Sequence, residues 1–221
     1  VPLMYSWPSL GQITGYGHDL HQADLAAGPL AEFLTRMAHE SGARQIHLVA
    51  HSMGNRALVG ALTRIGQSQS TARFNQVVFA APDLDAGQFA TQIAPHIQPV
   101  IERATIYSSG SDLALWASQV WNRTMRLGRP GYFLNVVGSL DWVDVIDTTS
   151  IGFDWFELGH SAYGSELLVD LRRVMDGQPA GVSLNRTDSQ VWTVTRPAAP
   201  APGPWVRPPT VYRVRPARWP T

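Results

Sequence analysis

The stretch Ile46-His47-Leu48-Val49-Ala50-His51-Ser52-Met53-Gly54-Asn55-Arg56 decides how the chain is read. Ile46, Leu48 and Val49 read as a short apolar strand. From Asn55 onward, Leu58, Ala61, Leu62 and Ile65 recur at the spacing of one helical face. Between them, Ala50-His51-Ser52-Met53-Gly54 fits a strand–turn–helix pattern in which a serine has a small residue two before and two after it. A serine hydroxyl is a weak nucleophile until a base can reach its proton, and a sharp turn lifts it clear of the sheet. The helix that follows aims its first amides, beginning with Met53 N–H, at the place where an oxyanion would form. The bland alternative is an ordinary turn with an incidental serine. The strand before and the helix after weigh against it.

Composition narrows the chemistry. The 221 residues are 44% hydrophobic, enough for one domain with a sizeable core. Seventeen basic and seventeen acidic residues balance, so nothing points to nucleic acid as a partner. There is no cysteine and every basic residue other than histidine is Arg, which excludes disulfides, thiolate metal sites and cysteine or lysine covalent catalysis. No Cys/His cluster or phosphate-binding glycine loop calls for a metal or nucleotide cofactor, and no apolar run is long enough for an integral membrane segment. The first residue is Val1, inside what reads as a strand, so the chain is expected to begin partway through a longer protein. Cytoplasmic and exported locations are equally open on this sequence.

Taken in order, Val1–Trp7 reads as a buried strand and Gly11–Gly17 as a glycine-rich turn. A helix over Asp24–Glu40 carries Leu30, Phe33, Leu34, Met37 and Ala38 on one side and stops at Gly42. After the serine turn, strands are expected at Gln76–Ala81, Ala104–Ser108, Tyr132–Val137 and Trp142–Ile146. A helical or mixed connection spans Gln88–Ile101. The helix beyond Asp112 places Leu113, Trp116, Ala117, Val120 and Trp121 together, and the reading takes Trp116 and Trp121 as core. The last helix, from about Glu166 to Met175, has Leu167, Leu168, Leu171 and Val174 as its buried stripe. Alternating strands and helices imply a mostly parallel α/β sheet flanked by helices. This defines a catalytic domain over 1–178 and a tail over 179–221, expected to be largely disordered. Residues 196–221 carry eight of the sixteen prolines, five Arg and no acid. Trp205, Val211, Tyr212 and Trp219 make that tail a candidate to contact a partner.

An activated serine needs a histidine and a carboxylate, and on a sheet of this kind they follow in the order serine, acid, histidine. Ser52, Asp112 and His160 satisfy that order. Asp112 follows the strand ending at Ser108, and His160 lies in the glycine-flanked loop Gly159–Gly164. His51 sits inside the turn, too close in sequence to reach back, while His18, His21, His39, His47 and His96 read as surface or structural. Asp83 and Asp85, just past the next strand, compete with Asp112 for the acid; Asp141, Asp144 and Asp147 are weaker competitors. Trp7, His51 and Asp83 are the candidate substrate-pocket residues, and Trp155 is a further aromatic for an apolar pocket.

Ser6-Trp7-Pro8-Ser9 with Gly11, His51-Ser52-Met53-Gly54-Asn55, Ala81-Pro82-Asp83-Leu84-Asp85, Tyr107 with Asp112-Leu113-Ala114-Leu115, and Gly159-His160-Ser161 together resemble the α/β-hydrolase superfamily. The resemblance is to a bacterial branch whose natural substrates are mostly unassigned, and it covers about residues 1–176. It implies the α/β-hydrolase fold and a Ser-Asp-His hydrolase acting on small-molecule carboxylic esters or related acyl compounds, without a cofactor. It also implies a further strand and a His-Gly loop before Ser6, which would supply the second oxyanion donor. Losing one such donor costs roughly 10²–10³ in rate. Two other readings stand beside the esterase: an amidase or thioesterase using the same triad, and an inactive binding or envelope protein that keeps the fold.

Overall fold

The computed structural model describes residues 1–130, 137, 140–149, 164–178, 185–186 and 191–193. Its strands are β1 (Leu48–His51), β2 (Phe74–Ala80), β3 (Ile101–Ser108), β4 (Val143–Asp147), β5 (Asn185–Arg186) and β6 (Val191–Thr193). They form one sheet in the order β1-β2-β3-β4-β6-β5, parallel throughout except for β5, which runs antiparallel to β6. Four longer helices accompany it: α1 (Tyr16–Glu40), α2 (Gly54–Gln67), α3 (Leu113–Asn122) and α4 (Gly164–Met175). Short helical turns over 86–100 connect β2 to β3. This mostly parallel sheet with flanking helices is the arrangement expected of a partial α/β-hydrolase fold.

The sheet is parallel because its strands are apolar on both faces. Val77, Val78, Phe79 and Ala80 are each no more than 1% exposed. Val77 and Phe79 join the core built with α1, α2 and the 86–100 connection. Val78 and Ala80 turn the other way, toward Tyr107, Ile146 and Val174. Helices α1 and α2 cross closely: a Cβ on Gly60 would come within 2.7 Å of Ala27 Cβ. Arg56 clamps the same pair by a bidentate bridge to Asp24 at 2.6 and 2.9 Å.

Four expectations change. Val1–Trp7 is not a strand, and Val1, Leu3 and Met4 are exposed. In the described sheet β1 is an edge strand that pairs only with β2, and this segment does not add to its open side. It is held instead by Tyr5, which packs on Phe33, and by Trp7. Trp116 and Trp121 are not core; they are 54% and 74% exposed, and α3 turns Leu115, Ser118 and Asn122 inward. In α4, Leu168 is exposed because the Tyr107 hydroxyl draws Asp170 inward, donating to its carboxylate at 2.7 Å. The sheet also continues past residue 178, with β5 and β6 adding two short strands inside the segment expected as tail. The rest of that tail and the strand expected at Tyr132–Val137, apart from Val137, lie outside the described residues. No described helix is long and apolar enough to cross a membrane.

Candidate active site

Ser52 follows β1 directly and precedes α2, with φ of +50°. A non-glycine residue in this left-handed region stores roughly 1–3 kcal/mol, so its surroundings must hold it there. They do so through both backbone groups. Ser52 N–H donates to Ala80 O at 3.0 Å, tying the turn to the end of β2. Ser52 O accepts from Asn55 N–H at 3.1 Å, from Asn55 Nδ2 at 2.9 Å and from Asp83 N–H at 3.3 Å. Asn55 Nδ2 also donates to Ala80 O at 3.0 Å. One fully buried amide therefore closes a ring around the serine. Ala81, at the end of the neighbouring strand, is likewise left-handed, with φ of +42°.

Met53 is the first residue past the serine and the N-cap of α2, a helix of 14 residues with no side-chain cap. Its amide thus points out of the helix start, where the helix dipole favours negative charge. Trp7 lies against this start: its ring would be 3.2 Å from a Cβ on Gly54. Its buried Nε1 has no acceptor among the described residues. His51 is half-buried at the end of β1.

The carboxyl ends of β1, β2 and β3 are level, since His51 pairs with Ala80 and Ala80 with Tyr107. With strands about 4.8 Å apart, the ends of β1 and β3 are separated by about 10 Å. Asp112 stands just beyond β3 as the N-cap of α3. Its Oδ1 accepts from Leu115 N–H at 2.9 Å, and Oδ2 has no partner among the described residues. Arg129 holds the Asp112 carbonyl at 3.2 Å. Among the described residues Asp112 thus keeps one oxygen uncommitted at the serine's edge of the sheet.

Four of its five competitors are engaged elsewhere. Asp83 is 3% exposed, accepting from Ser118 Oγ at 2.5 Å on Oδ1 and from the Tyr16 hydroxyl at 2.8 Å on Oδ2. Arg126 Nε lies 3.4 Å from the same Oδ1. The expectation that Asp83 lines a substrate pocket therefore gives way to a buried structural position. Asp85 caps the next helical turn through Gln88 N–H at 2.7 Å. Asp144 is paired with Arg103 at 2.7 Å through both oxygens, and Asp147 accepts from Thr149 N–H and its hydroxyl. His160 and Trp155 lie outside the described residues.

Residues that the sequence reading did not select complete the arrangement. Tyr16, Ser118 and Asn122 surround Asp83, with Asn122 Nδ2 donating to the Tyr16 hydroxyl at 3.0 Å. Burial, together with the Asp83 charge, pushes the Tyr16 phenol above its ordinary pKa, so it stays a donor. Among the described residues no group of three or more His, Cys, Asp or Glu is placed to hold a metal ion.

The sequence matches the family described as alpha/beta hydrolase of unknown function (DUF900) over residues 1–175. No curated protein and no solved structure matches the chain.

Proposed function

The chain belongs to this family of α/β hydrolases, and on that premise we propose that it is a serine hydrolase that cleaves carboxylic esters through an acyl-Ser52 intermediate. The observation that carries the reading is the left-handed backbone of Ser52, over-determined by hydrogen bonds to Ala80, Asn55 and Asp83. Strain of that kind in a non-glycine residue clusters at active sites and ligand clamps.

In this mechanism the His160 imidazole takes the Ser52 hydroxyl proton as Oγ attacks the acyl carbon. Asp112 receives the second imidazole N–H on Oδ2 and stabilises the imidazolium. Met53 N–H donates to the oxyanion of the tetrahedral intermediate. Collapse of that intermediate releases the alcohol, which leaves with the imidazolium proton. Water, deprotonated by His160, then attacks the acyl carbon and returns the free acid and Ser52. Trp7, beside the Gly54 end of the turn, offers an apolar wall for the acyl chain.

The test is hydrolysis of p-nitrophenyl esters of increasing acyl length by the chain and by Ser52→Ala. A nitrophenolate burst near one equivalent, absent in Ser52→Ala, is the expected result. Equal turnover by both proteins would remove the serine mechanism.

A further inference from the structure

Asp83 occupies a place that the proposed chemistry does not use, yet it touches both halves of it. Its backbone N–H donates to Ser52 O at 3.3 Å, at the nucleophile turn. Its carboxylate reaches α3, whose N-cap is Asp112, through Ser118 Oγ at 2.5 Å. Ser118 lies six residues beyond Asp112, about 9 Å along the helix axis at 1.5 Å per residue. The Tyr16 hydroxyl at the start of α1 closes the cluster, 2.8 Å from Asp83 Oδ2 and 2.8 Å from Ser118 Oγ. Asp83, Ser118 and Arg126 are 3%, 5% and 5% exposed. Both hydroxyls reach the carboxylate, and in the Tyr16–Ser118 contact either oxygen can be the donor. Ser118 donates to Oδ1, Tyr16 donates to Oδ2, and the Tyr16 oxygen accepts from Asn122 Nδ2.

We propose that Asp83 is a positioning residue, a buried strut that fixes helix α3, and with it Asp112, relative to Ser52. The inference rests on the reading of Ser52 and Asp112 as nucleophile and acid. The physical case is geometric. Leu115 is buried, but Trp116, Val120 and Trp121 are exposed, so apolar packing secures only part of α3. Directional hydrogen bonds from Ser118 and Asn122 set the rest of its rotation. A buried carboxylate with two hydroxyl donors and a neighbouring guanidinium cannot exchange partners without leaving a charge unmet. The acid-bearing helix is thus held in one register against the serine turn. Misplacing a reacting group by an ångström costs on the order of 10²-fold in rate.

The experiment uses the full chain and the variants Ser118→Ala, Tyr16→Phe and Asp83→Asn. Two readouts are taken: the rate constant of labelling by a fluorophosphonate, and deuterium exchange of the amides at the start of α3. Ser118→Ala and Tyr16→Phe each remove a single hydroxyl and are the variants that retain the fold if Asp83→Asn does not. The strut predicts labelling slowed about tenfold or more by each, with faster exchange over 113–117 and an unchanged pH midpoint of labelling. Wild-type labelling and exchange in either variant would overturn it. A collapse of labelling in Asp83→Asn with normal labelling in the other two would also overturn it, because Asp83 would then be the acid itself. A wild-type chain that does not label would defeat the serine mechanism instead. In that case the exchange measurement alone decides whether Asp83 holds α3.

Discussion

Substituting Asn55 probes the serine turn at its most constrained atom. Its Nδ2 donates to Ser52 O at 2.9 Å and Ala80 O at 3.0 Å, while its buried Oδ1 has no partner among the described residues. Asn55→Ala removes two hydrogen bonds worth about 1 kcal/mol each. Neither acceptor is orphaned, since Ser52 O keeps two backbone donors and Ala80 O keeps Ser52 N–H. Removing the unpartnered Oδ1 offsets part of the loss, so the net cost is about 1–2 kcal/mol. Asn55→Asp has the same shape and the opposite outcome. It sets an oxygen in place of the donor, about 3 Å from two carbonyl oxygens, at a fully buried position. Ionised, that carboxylate costs about 4 kcal/mol or more; protonated, it restores one donor.

The folded-state pKa of the new carboxyl is therefore raised above the unfolded value of about 3.9. Its stabilising form is fully present below that unfolded value and is lost as pH rises through the raised folded value. Between the two, stability falls by about 1.4 kcal/mol per pH unit. Urea denaturation of the three proteins from pH 4 to pH 8 measures this directly. Asn55→Asp should approach Asn55→Ala at the acid end and fall several kcal/mol below it at pH 8. Equal stability of the two variants across the whole range would refute the reasoning, because Nδ2 would then not face those carbonyls.

Other consequences are as concrete. A Cβ on Gly128 would lie 2.6 Å from Ala81 C and Leu115 Cδ1 and 2.7 Å from Pro82 N. Gly128→Ala should therefore cost about 3 kcal/mol, lowering Tm by about 6–12 °C in a calorimetric scan; an unchanged Tm would mean that the loop does not cross the strand ends there. Asp19 accepts from Leu10 N–H, Ser9 Oγ and Gly11 N–H, and these bonds, led by Leu10, lower its pKa to about 2. Its contribution is present above its ordinary value near 3.8 and disappears as pH falls through about 2. An acid titration of stability should lose that component in Asp19→Asn, and identical acid limbs would count against the clamp. Trp121→Ser, at a 74% exposed position, should stay within about 0.5 kcal/mol of wild type. Leu115→Ala, at 2%, should cost about 2–4 kcal/mol, and denaturation curves in the reverse order would contradict the orientation of α3.

The alternation of apolar strands and helical faces was legible because burial on both faces of a parallel sheet leaves continuous runs such as Val77-Val78-Phe79-Ala80. The serine turn was legible for a different reason: close strand–helix approach demands small residues at fixed offsets. What hydropathy could not supply was helix rotation. Apolar periodicity favours burying Trp116 and Trp121 in α3 and Leu168 in α4. Instead, the buried polar ties of Ser118 to Asp83 and of Tyr107 to Asp170 turn both helices. Such ties join residues 35 and 63 positions apart, beyond the reach of any local pattern. Asp83 was misread for the same cause. Its place at the carboxyl edge of β2 suggested access, whereas its burial depends on Tyr16, Ser118 and Arg126 arriving from three other segments. Val1–Trp7 shows the converse limit: apolar content favoured a strand, but the segment packs through the Tyr5 and Trp7 side chains and not by backbone pairing.

The central claim, that Ser52 is an activated nucleophile, is tested most directly by treating the chain with a fluorophosphonate and mapping the adduct by peptide mass spectrometry. The account predicts one phosphonyl group per chain, on the peptide that contains Ser52. Labelling should be lost in Ser52→Ala and slowed by orders of magnitude in His160→Ala and Asp112→Asn. An adduct on another residue, or a folded chain that stays unlabelled under conditions that saturate a known serine esterase, would contradict it.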